Sequence, residues 1–458
     1  MNRIDELQQK YPMFPRQYLV KWEVLNHGIK DSADLDKTCE WSRGGSYQSR
    51  DIDVTLKGIA EKRPDTIRPG YVLKTRPLYM KRGIAARVQR DSTSPYEVRE
   101  GSEGKFALYT GEEKIEDVYF PAPREWGDDL ITSKGLPAST LVTVQGRCFS
   151  IQPIRFCEFF TRGEQCKFCN YNSTYDDARA IGANAPVTIN LEDTVEAYKM
   201  ISSQVRLIEG RWQSGALRNS EQEAAAHLTF VEKIASATSY VPNTTMSTSP
   251  PDRKGLQRLH DAGLTCIHFN AEVWGAELFA EVCPGKEKYR GFERYKDAYQ
   301  EAVDIYGVGN VACNFVAGVS LMPENGHKTW QESRDALIEG FRWLTKNGAF
   351  PRFHGIRLGA GSVYGDDKAS RLKAPPTEYF LDLCQAHHNI MMEYGYYEKL
   401  NKLMFCPLDC PPTSCCGELG ALTLAGDLGK WAAEAGFPEE ANWLAKFIAS
   451  IQTTAEAQ

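Results

Sequence analysis

The sequence predicts an α/β protein, a full or partial (β/α) barrel with an N-terminal mixed, β-containing accessory region. The first observation is that helix-like segments alternate with short apolar runs from about residue 186 onward. The second is that residues 1–145 lack this alternation and contain short β-like runs separated by turns. Strands that alternate with helices are typical of a parallel sheet. A barrel of this kind places its reactive groups at the carboxyl ends of its strands.

The first part of the chain contains two predicted hairpins. FALYTGEEKIEDVYF, residues 106–120, reads as a hairpin around Thr110-Gly111. STLVTVQGRCFSI, residues 139–151, reads as a strand, a glycine turn and a second strand. We divide the chain into residues 1–145, an accessory region of unknown role, residues 146–395, the barrel, and residues 396–458, a cysteine-rich loop with a C-terminal helical tail.

The barrel region contains helix-like segments that are each followed by a strand-like run. The first barrel strand is predicted upstream of them, in QGRCFSIQPIRF. In chain order, the helix and strand pairs are 191–203 with 205–210, 221–236 with 243–249, 253–263 with 264–274, 292–307 with 310–322, and 332–348 with 351–359.

The composition excludes several classes of partner. The 458 residues are 42% hydrophobic and 25% charged, and the formal net charge of −6 gives no reason to expect nucleic acid or an anionic membrane as partner. The N-terminal MNRIDELQQKYPMF lacks the apolar core of a signal peptide, and no stretch reaches 18 apolar residues. We therefore expect a cytoplasmic protein. Because disulfides are rare in that compartment, the clustered members of its 13 cysteines indicate metal ligands or redox groups.

The most informative cluster is FCEFFTRGEQCKFCN, residues 156–170. Its cysteines, Cys157, Cys166 and Cys169, have the spacing C-x8-C-x2-C and follow the first predicted barrel strand. Three thiolates fit an iron–sulfur cluster whose fourth iron is left for another ligand. Structural zinc is the alternative, but it usually requires four N or S ligands, and no cysteine or histidine lies between residues 170 and 226. Cys148, nine residues upstream, could complete a closed site.

The three-cysteine loop resembles that of the radical S-adenosylmethionine superfamily, which also has an aromatic residue just before the last cysteine, here Phe168. The commonest spacing in that superfamily is C-x3-C-x2-C, and this sequence departs from it in the first gap. Residues 243–324 resemble the central strands of biotin-synthase-like members, and the resemblance covers roughly residues 150–365. It implies a [4Fe–4S] cluster that reductively cleaves S-adenosylmethionine. The resulting 5′-deoxyadenosyl radical would abstract hydrogen from an unknown substrate.

The resemblance also implies residues that bind the cofactor. Asn270 and Glu272 are two apart on a predicted strand, so they share a face and match the pair that binds the ribose and amino group of the nucleotide. Arg290 matches an arginine for the methionyl carboxylate. The alternative for Glu272 is a salt bridge to Lys286 or Arg290.

Three further positions belong to the same implied site. Phe168 would pack near the adenine, although an ordinary core aromatic is the alternative. Gly318, after the fifth strand, would also lie near the adenine. Gly210, in Glu209-Gly210-Arg211-Trp212 after the predicted second strand, would let the backbone approach the methionyl amine.

Cysteines outside the loop are candidates for catalysis. Cys283 lies in the loop after the fourth strand, where it could meet substrate or be an inert buried thiol. FCPLDCPPTSCCGEL, residues 405–419, contains four more cysteines, which could bind an auxiliary cluster or a thiophilic metal, form a redox-active pair, or shape a substrate pocket. These are Cys406, Cys410, Cys415 and Cys416.

The function implied is that of a radical S-adenosylmethionine enzyme. Its substrate would be a small molecule or a peptide, and its electron donor a flavodoxin or ferredoxin. The alternative is an iron–sulfur or zinc protein on a barrel scaffold with a structural or electron-transfer role.

Overall fold

A computed structural model of the chain describes most of its residues. These are residues 2–14, 16–43, 71–75, 78–80, 85–86, 89–118, 120, 129–145, 148–180, 186–204, 209–237, 243–359, 361–367, 373–396 and 398–399.

Strands and helices follow one another along these residues. The strands are β1 Cys39–Arg43, β2 Tyr71–Thr75, β3 Leu78–Tyr79, β4 Ala85–Ala86, β5 Tyr96–Glu100, β6 Phe106–Thr110, β7 Glu113–Val118, β8 Val142–Gln145, β9 Cys148–Ile151, β10 Glu209–Gln213, β11 Asn243–Ser247, β12 Cys266–His268, β13 Val311–Ala317 and β14 Phe350–Gly355. The α-helices are α1 Arg3–Lys10, α2 Arg16–His27, α3 Ala33–Lys37, α4 Tyr171–Ala180, α5 Leu191–Ser202, α6 Ser220–Ala237, α7 Arg253–Asp261, α8 Ala276–Val282, α9 Pro284–Tyr289, α10 Phe292–Tyr306, α11 Trp330–Lys346, α12 Val363–Asp366 and α13 Thr377–Glu393.

The largest sheet has seven strands in the order β14-β13-β12-β11-β10-β9-β8. Strands β9 to β14 are parallel to one another and follow chain order, whereas β8 pairs with β9 in antiparallel fashion. At least one helix separates each parallel strand from the next. The predicted α/β class and the predicted β8–β9 hairpin are therefore confirmed. No pairing joins β8 to β14 within the described residues, so closure of a barrel stays a prediction.

Local sequence explains why these elements form where they do. Helix α11 begins with a capping box, in which Thr329 accepts from the backbone N–H of Glu332 and Glu332 accepts from that of Thr329. Strand β13 reads VACNFVA and is buried at all but one position, as expected of a parallel strand covered on both faces. Helix α10 buries residues at helical spacing, among them Phe292, Tyr295 and Tyr299.

Two strand predictions were wrong in their details. The second parallel strand is β10, Glu209–Gln213, and residues 205–208 of the predicted strand lie outside the described residues. The fourth strand, β12, ends at His268, so Asn270 and Glu272 follow it rather than lie on it. Glu272 has a φ of 69°, and this left-handed conformation ends the extended alternation on which the prediction depended.

The described chain divides into two compact units. The first contains residues 1–40, 75–122 and the chain from 376 onward, and the second contains residues 41–74 and 123–375. In the first, α2 packs on α13, where Trp22 stacks on Phe380 with ring centroids 5.2 Å apart. Strands β6 and β7 pair as the predicted hairpin in its three-stranded sheet. The second unit holds the seven-stranded sheet.

The part of the chain that the structure describes includes no helix both long and apolar enough to span a membrane.

Candidate functional site

The three-cysteine loop leaves the carboxyl end of β9, as the sequence predicts, and continues to the start of α4 at Tyr171. The segments that leave β10, β12 and β14 emerge at the same edge, because parallel strands place their carboxyl ends together. The candidate site is therefore at the edge where α/β proteins bind their ligands.

Backbone hydrogen bonds hold the cysteine loop to all three of these neighbouring segments. Each bond joins an N–H and a carbonyl that are far apart in sequence, so tertiary hydrogen bonds hold the loop in place. The bonds run from Glu158 N to Ala216 O (2.9 Å), from Lys167 N to Val282 O (2.9 Å), from Gly285 N to Glu164 O (2.8 Å) and from Tyr364 N to Lys167 O (3.0 Å).

Two glycines allow these backbones to approach so closely. A Cβ on Gly215 would lie 2.0 Å from the carbonyl oxygen of Phe156 and 2.7 Å from the nitrogen of Cys157. A Cβ on Gly285 would lie 2.5 Å from the carbonyl oxygen of Glu164. Both distances to oxygen are well inside van der Waals contact, so only glycine fits at these positions. The sequence does not single out Gly215, because the predicted strand ends at Gly210 and the observed strand at Gln213.

The backbone of Cys157 is held by a side chain on α4. The amide of Asn172 accepts from the N–H of Cys157 at 2.8 Å and donates to its carbonyl oxygen at 3.2 Å. Cys157 is buried, whereas Cys166 and Cys169 are half-buried. Burial, with a further contribution from Cys169, raises the pKa of the Cys157 thiol to about 12. Cys169 packs against the same buried cluster as Cys157.

The donor set suits an iron–sulfur cluster better than a hard cation, because its three donors are thiols carried on one anchored loop. Within the described residues, no three Cys, His, Asp or Glu side chains are already placed to hold a metal ion.

Cys283 lies against the cysteine loop rather than open to solvent. It is fully buried, with 0% of its surface exposed, and precedes Pro284, the first residue of α9. Interaction with the Cys283 thiol lowers the pKa of Cys166. Burial and the interaction with Cys166 raise the pKa of Cys283 well above the usual value for a thiol.

A buried ion pair lies beside these thiols. Lys286 Nζ donates to Glu272 Oε1 at 2.6 Å and to the carbonyl oxygen of Asn270 at 2.7 Å. The Lys286 and Glu272 side chains are 12% and 10% exposed. Burial alone would lower the pKa of Lys286, but the Glu272 carboxylate, together with Tyr295 and the thiols of Cys166 and Cys283, outweighs it, and the pKa lies well above its usual value. The salt bridge considered as the alternative for Glu272 is present, with Lys286 as the partner.

Arg290 binds backbone carbonyls. Its Nη1 donates to the carbonyl oxygens of Arg218 (2.6 Å) and Tyr289 (2.8 Å), and its Nη2 donates to that of Leu217 (3.2 Å). Its Nε is buried and has no partner among the described residues. Burial lowers the pKa of the guanidinium. Arg290 thus fixes the segment that follows β10 and retains one unsatisfied N–H.

The remaining candidates are not all at the same edge. Gly318 directly follows β13 with a φ of 93°, which a residue with a side chain rarely adopts. Phe168 is half-buried within the cysteine loop. Gly210 is the second residue of β10, paired with Phe149 and Thr244, so it lies inside a strand and not after one. The side chain of Cys148 and all of Cys406, Cys410, Cys415 and Cys416 lie outside what the structure describes.

Fold and site together define an α/β protein with a thiol-rich loop at the carboxyl edge of a parallel sheet.

No family model matches the chain. Over 102 residues it is 26% identical to the bacteriochlorophyllide c C-7(1)-hydroxylase of Chlorobaculum limnaeum, which covers 22% of this chain and 23% of that protein. The chain therefore matches about a quarter of the length of this curated relative.

Solved structures give weaker similarities. Methylornithine synthase is 16% identical, with a TM-score of 0.37, over 52% of this chain and 62% of that one. A radical SAM methyltransferase from Sphaerobacter thermophilus is 12% identical, with a TM-score of 0.35, over 84% of this chain and 91% of that one. Both TM-scores are below 0.5, and neither similarity carries an argument about this chain.

Proposed function

We propose that the chain is a radical S-adenosylmethionine enzyme on a partial (β/α) barrel, in which Cys157, Cys166 and Cys169 bind a [4Fe–4S] cluster. The observation that supports this most directly is the anchoring of the cysteine loop. Three separate segments of the carboxyl edge bond to its backbone, and two glycines leave space for no side chain against it. A loop with three thiols and no fourth nearby ligand suits a cluster with one open iron.

The bound group would supply the difficult chemistry and the chain would position it. With S-adenosylmethionine, a reduced cluster of this kind would supply a 5′-deoxyadenosyl radical for hydrogen abstraction. Asn270, Glu272 and Gly318 all follow strand ends at the same edge, which supports their role at the cofactor. Arg290 would use its remaining Nε for the methionyl carboxylate. Phe168, beside Cys169, would pack on the adenine.

The name of the curated relative describes hydroxylation at carbon, which agrees with a reaction that begins at a C–H bond. We propose a small-molecule or peptide substrate and a flavodoxin or ferredoxin as electron donor. Residues 1–145 would be an accessory region to the barrel of residues 146–395.

Metal content after anaerobic reconstitution tests the cluster. Wild-type protein should bind iron and sulfide, show iron–sulfur visible absorption, and release 5′-deoxyadenosine with S-adenosylmethionine and dithionite. The variant with alanine at Cys157, Cys166 and Cys169 should lose about four irons per chain. Cys266→Ala, which removes a buried thiol from β12, is the matched control and should keep its iron.

Other outcomes would contradict the proposal. Stoichiometric zinc without iron would favour a structural metal protein. Iron in the triple variant equal to that of wild type would show that the loop does not bind the cluster.

The C-terminal cysteines carry a separate part of the proposal. Cys410, Cys415 and Cys416, together with Cys406, would act near the substrate, as ligands of an auxiliary cluster or metal or as thiols that meet the radical intermediate. Serine at Cys410, Cys415 and Cys416 should abolish product formation while 5′-deoxyadenosine release continues. Unchanged product formation would leave them a packing role only.

A further inference from the structure

The Lys286–Glu272 ion pair connects the two halves of the candidate site. Glu272 belongs to the segment that follows β12, and Lys286 lies on α9, next to the cysteine loop. With side chains only 12% and 10% exposed, both charges are mostly shielded from water. Their fields therefore act on neighbouring groups at a lower effective dielectric constant than those of surface charges.

Backbone contacts fix how near the pair lies to the thiols. Lys167 N bonds to Val282 O and Gly285 N bonds to Glu164 O, so residues 282–285 run beside residues 164–167. Cys283 lies between those two bonds and is fully buried. Lys286 follows Gly285 directly. Its bonds to Glu272 and Asn270 hold its side chain at the segment that follows β12.

The two charges act on Cys166 in opposite directions. The ammonium of Lys286 attracts negative charge on the cysteine loop, whereas the carboxylate of Glu272 repels it. Since the pair is neutral overall, its net effect on a nearby negative centre is a difference between two opposed fields. Removal of one partner would leave the charge of the other uncompensated.

We propose that the Lys286–Glu272 pair sets the reduction potential of the cluster that the cysteine loop binds. The inference rests on the proposed function. Reduction adds one electron, and no proton, from a one-electron reductant to the cluster and makes it more negative. Lys286 stabilises that added charge and Glu272 opposes it, because net charge near an iron–sulfur cluster is one of the determinants of its potential. Neither residue is a ligand in this role; both act through the charge that they hold near Cys166.

Redox titration of the reconstituted protein without S-adenosylmethionine, followed by electron paramagnetic resonance, tests the proposal. Lys286→Met leaves Glu272 uncompensated and should lower the midpoint potential. Glu272→Gln leaves Lys286 uncompensated and should raise it. At the wild-type midpoint, each variant should change the ratio of reduced to oxidised cluster at least tenfold, which is 59 mV for one electron. The double variant should return to within threefold of wild type.

Lys288→Met is the matched control. Lys288 also contacts the cysteine loop, through Glu164, but its side chain is 54% exposed and water screens its charge. It should change the ratio less than threefold. Lys286→Arg keeps the positive charge and should also stay within threefold of wild type, which separates charge from packing.

The outcomes distinguish this inference from the function on which it rests. Wild-type protein without a cluster would refute the proposed function. Two results would refute the role of the pair and leave the proposed function intact. In the first, the potential moves in the same direction in Lys286→Met and Glu272→Gln. In the second, it moves no further in these variants than in Lys288→Met. If Lys286→Met does not fold, the comparison of Glu272→Gln with the double variant decides the question, since only the first should be easier to reduce than wild type.

Discussion

Replacement of Gly215 by alanine should prevent cluster binding without unfolding the protein. The new Cβ would lie 2.0 Å from the carbonyl oxygen of Phe156 and 2.7 Å from the nitrogen of Cys157. Real Cβ contacts are essentially never closer than 3.0 Å, so the two backbones must separate by at least 3.0 − 2.0 = 1.0 Å. Metal ligands tolerate errors of only about 0.2 Å in their bond lengths. The shift falls on the residue before the first cysteine, so that thiol would leave its position.

The stability cost is that of the hydrogen bonds at this contact. Separation weakens the bonds from Gly215 N to Ile154 O (3.2 Å) and from Glu158 N to Ala216 O (2.9 Å). At about 1 kcal/mol each, the free energy of unfolding should fall by about 2 kcal/mol. A domain that retains the rest of its sheet would stay folded.

Iron per chain after anaerobic reconstitution, with circular dichroism to confirm folding, measures the effect. Gly163→Ala is the matched control, because Gly163 belongs to the same loop and a Cβ there meets nothing within 4 Å. Its positive φ of 68° makes alanine strained by about 1–2 kcal/mol, so both variants lose similar stability. Gly163→Ala should keep its iron and Gly215→Ala should lose it. Full iron in folded Gly215→Ala would refute the reasoning.

Three further predictions concern the same unit. Burial lowers the pKa of His227 from 6.5 to about 4, so between these pH values the unfolded chain binds a proton that the folded chain excludes. The free energy of unfolding should therefore fall by about 3 kcal/mol between pH 6.5 and 4. Denaturation measured across this pH range should show that loss in wild type and not in His227→Phe. An equal slope in both proteins would contradict this. Cys283→Ser should keep as much iron as wild type whereas Cys166→Ser should lose it, because we expect Cys283 to lie beside the cluster without binding it. Equal losses of iron in the two variants would make Cys283 a ligand. Arg290→Met removes the charged hydrogen bonds to three carbonyls, so urea titrations should show a free energy of unfolding lower by about 3 kcal/mol. A loss below about 1 kcal/mol would show that water replaces those bonds.

The alternation of helices and strands could be predicted because buried residues recur at different intervals in helices and strands, and each segment of the sequence shows one of these intervals. Helix α11 has its capping residues within the sequence itself, and β13 is a nearly continuous apolar run. The sequence predicts that strand β10 ends at Gly210, three residues before its observed end at Gln213, because GRWQ lacks the apolar run found just upstream. Position in a sheet, rather than composition, makes those residues a strand.

The sequence predicts where the three-cysteine loop lies, after the first parallel strand, but not what surrounds it. The role of the three thiols stays a prediction. Of the two salt bridges that the sequence leaves open for Glu272, to Lys286 or to Arg290, the structure contains the one to Lys286. The left-handed backbone at Glu272 has no sequence signal, because such conformations are held by long-range packing. The contact of Gly215 with Phe156 likewise depends on how two distant segments meet.

The anchoring of the cysteine loop has a consequence during synthesis of the chain. Lys167 accepts its last hydrogen bond from Tyr364, which is made roughly 200 residues later. At about 5–20 residues per second, the ribosome needs about 10–40 seconds to produce that partner after the third cysteine has emerged. During this interval three neighbouring thiols lack the segments that will cover them. An oxidant that reaches the nascent chain would therefore meet them together.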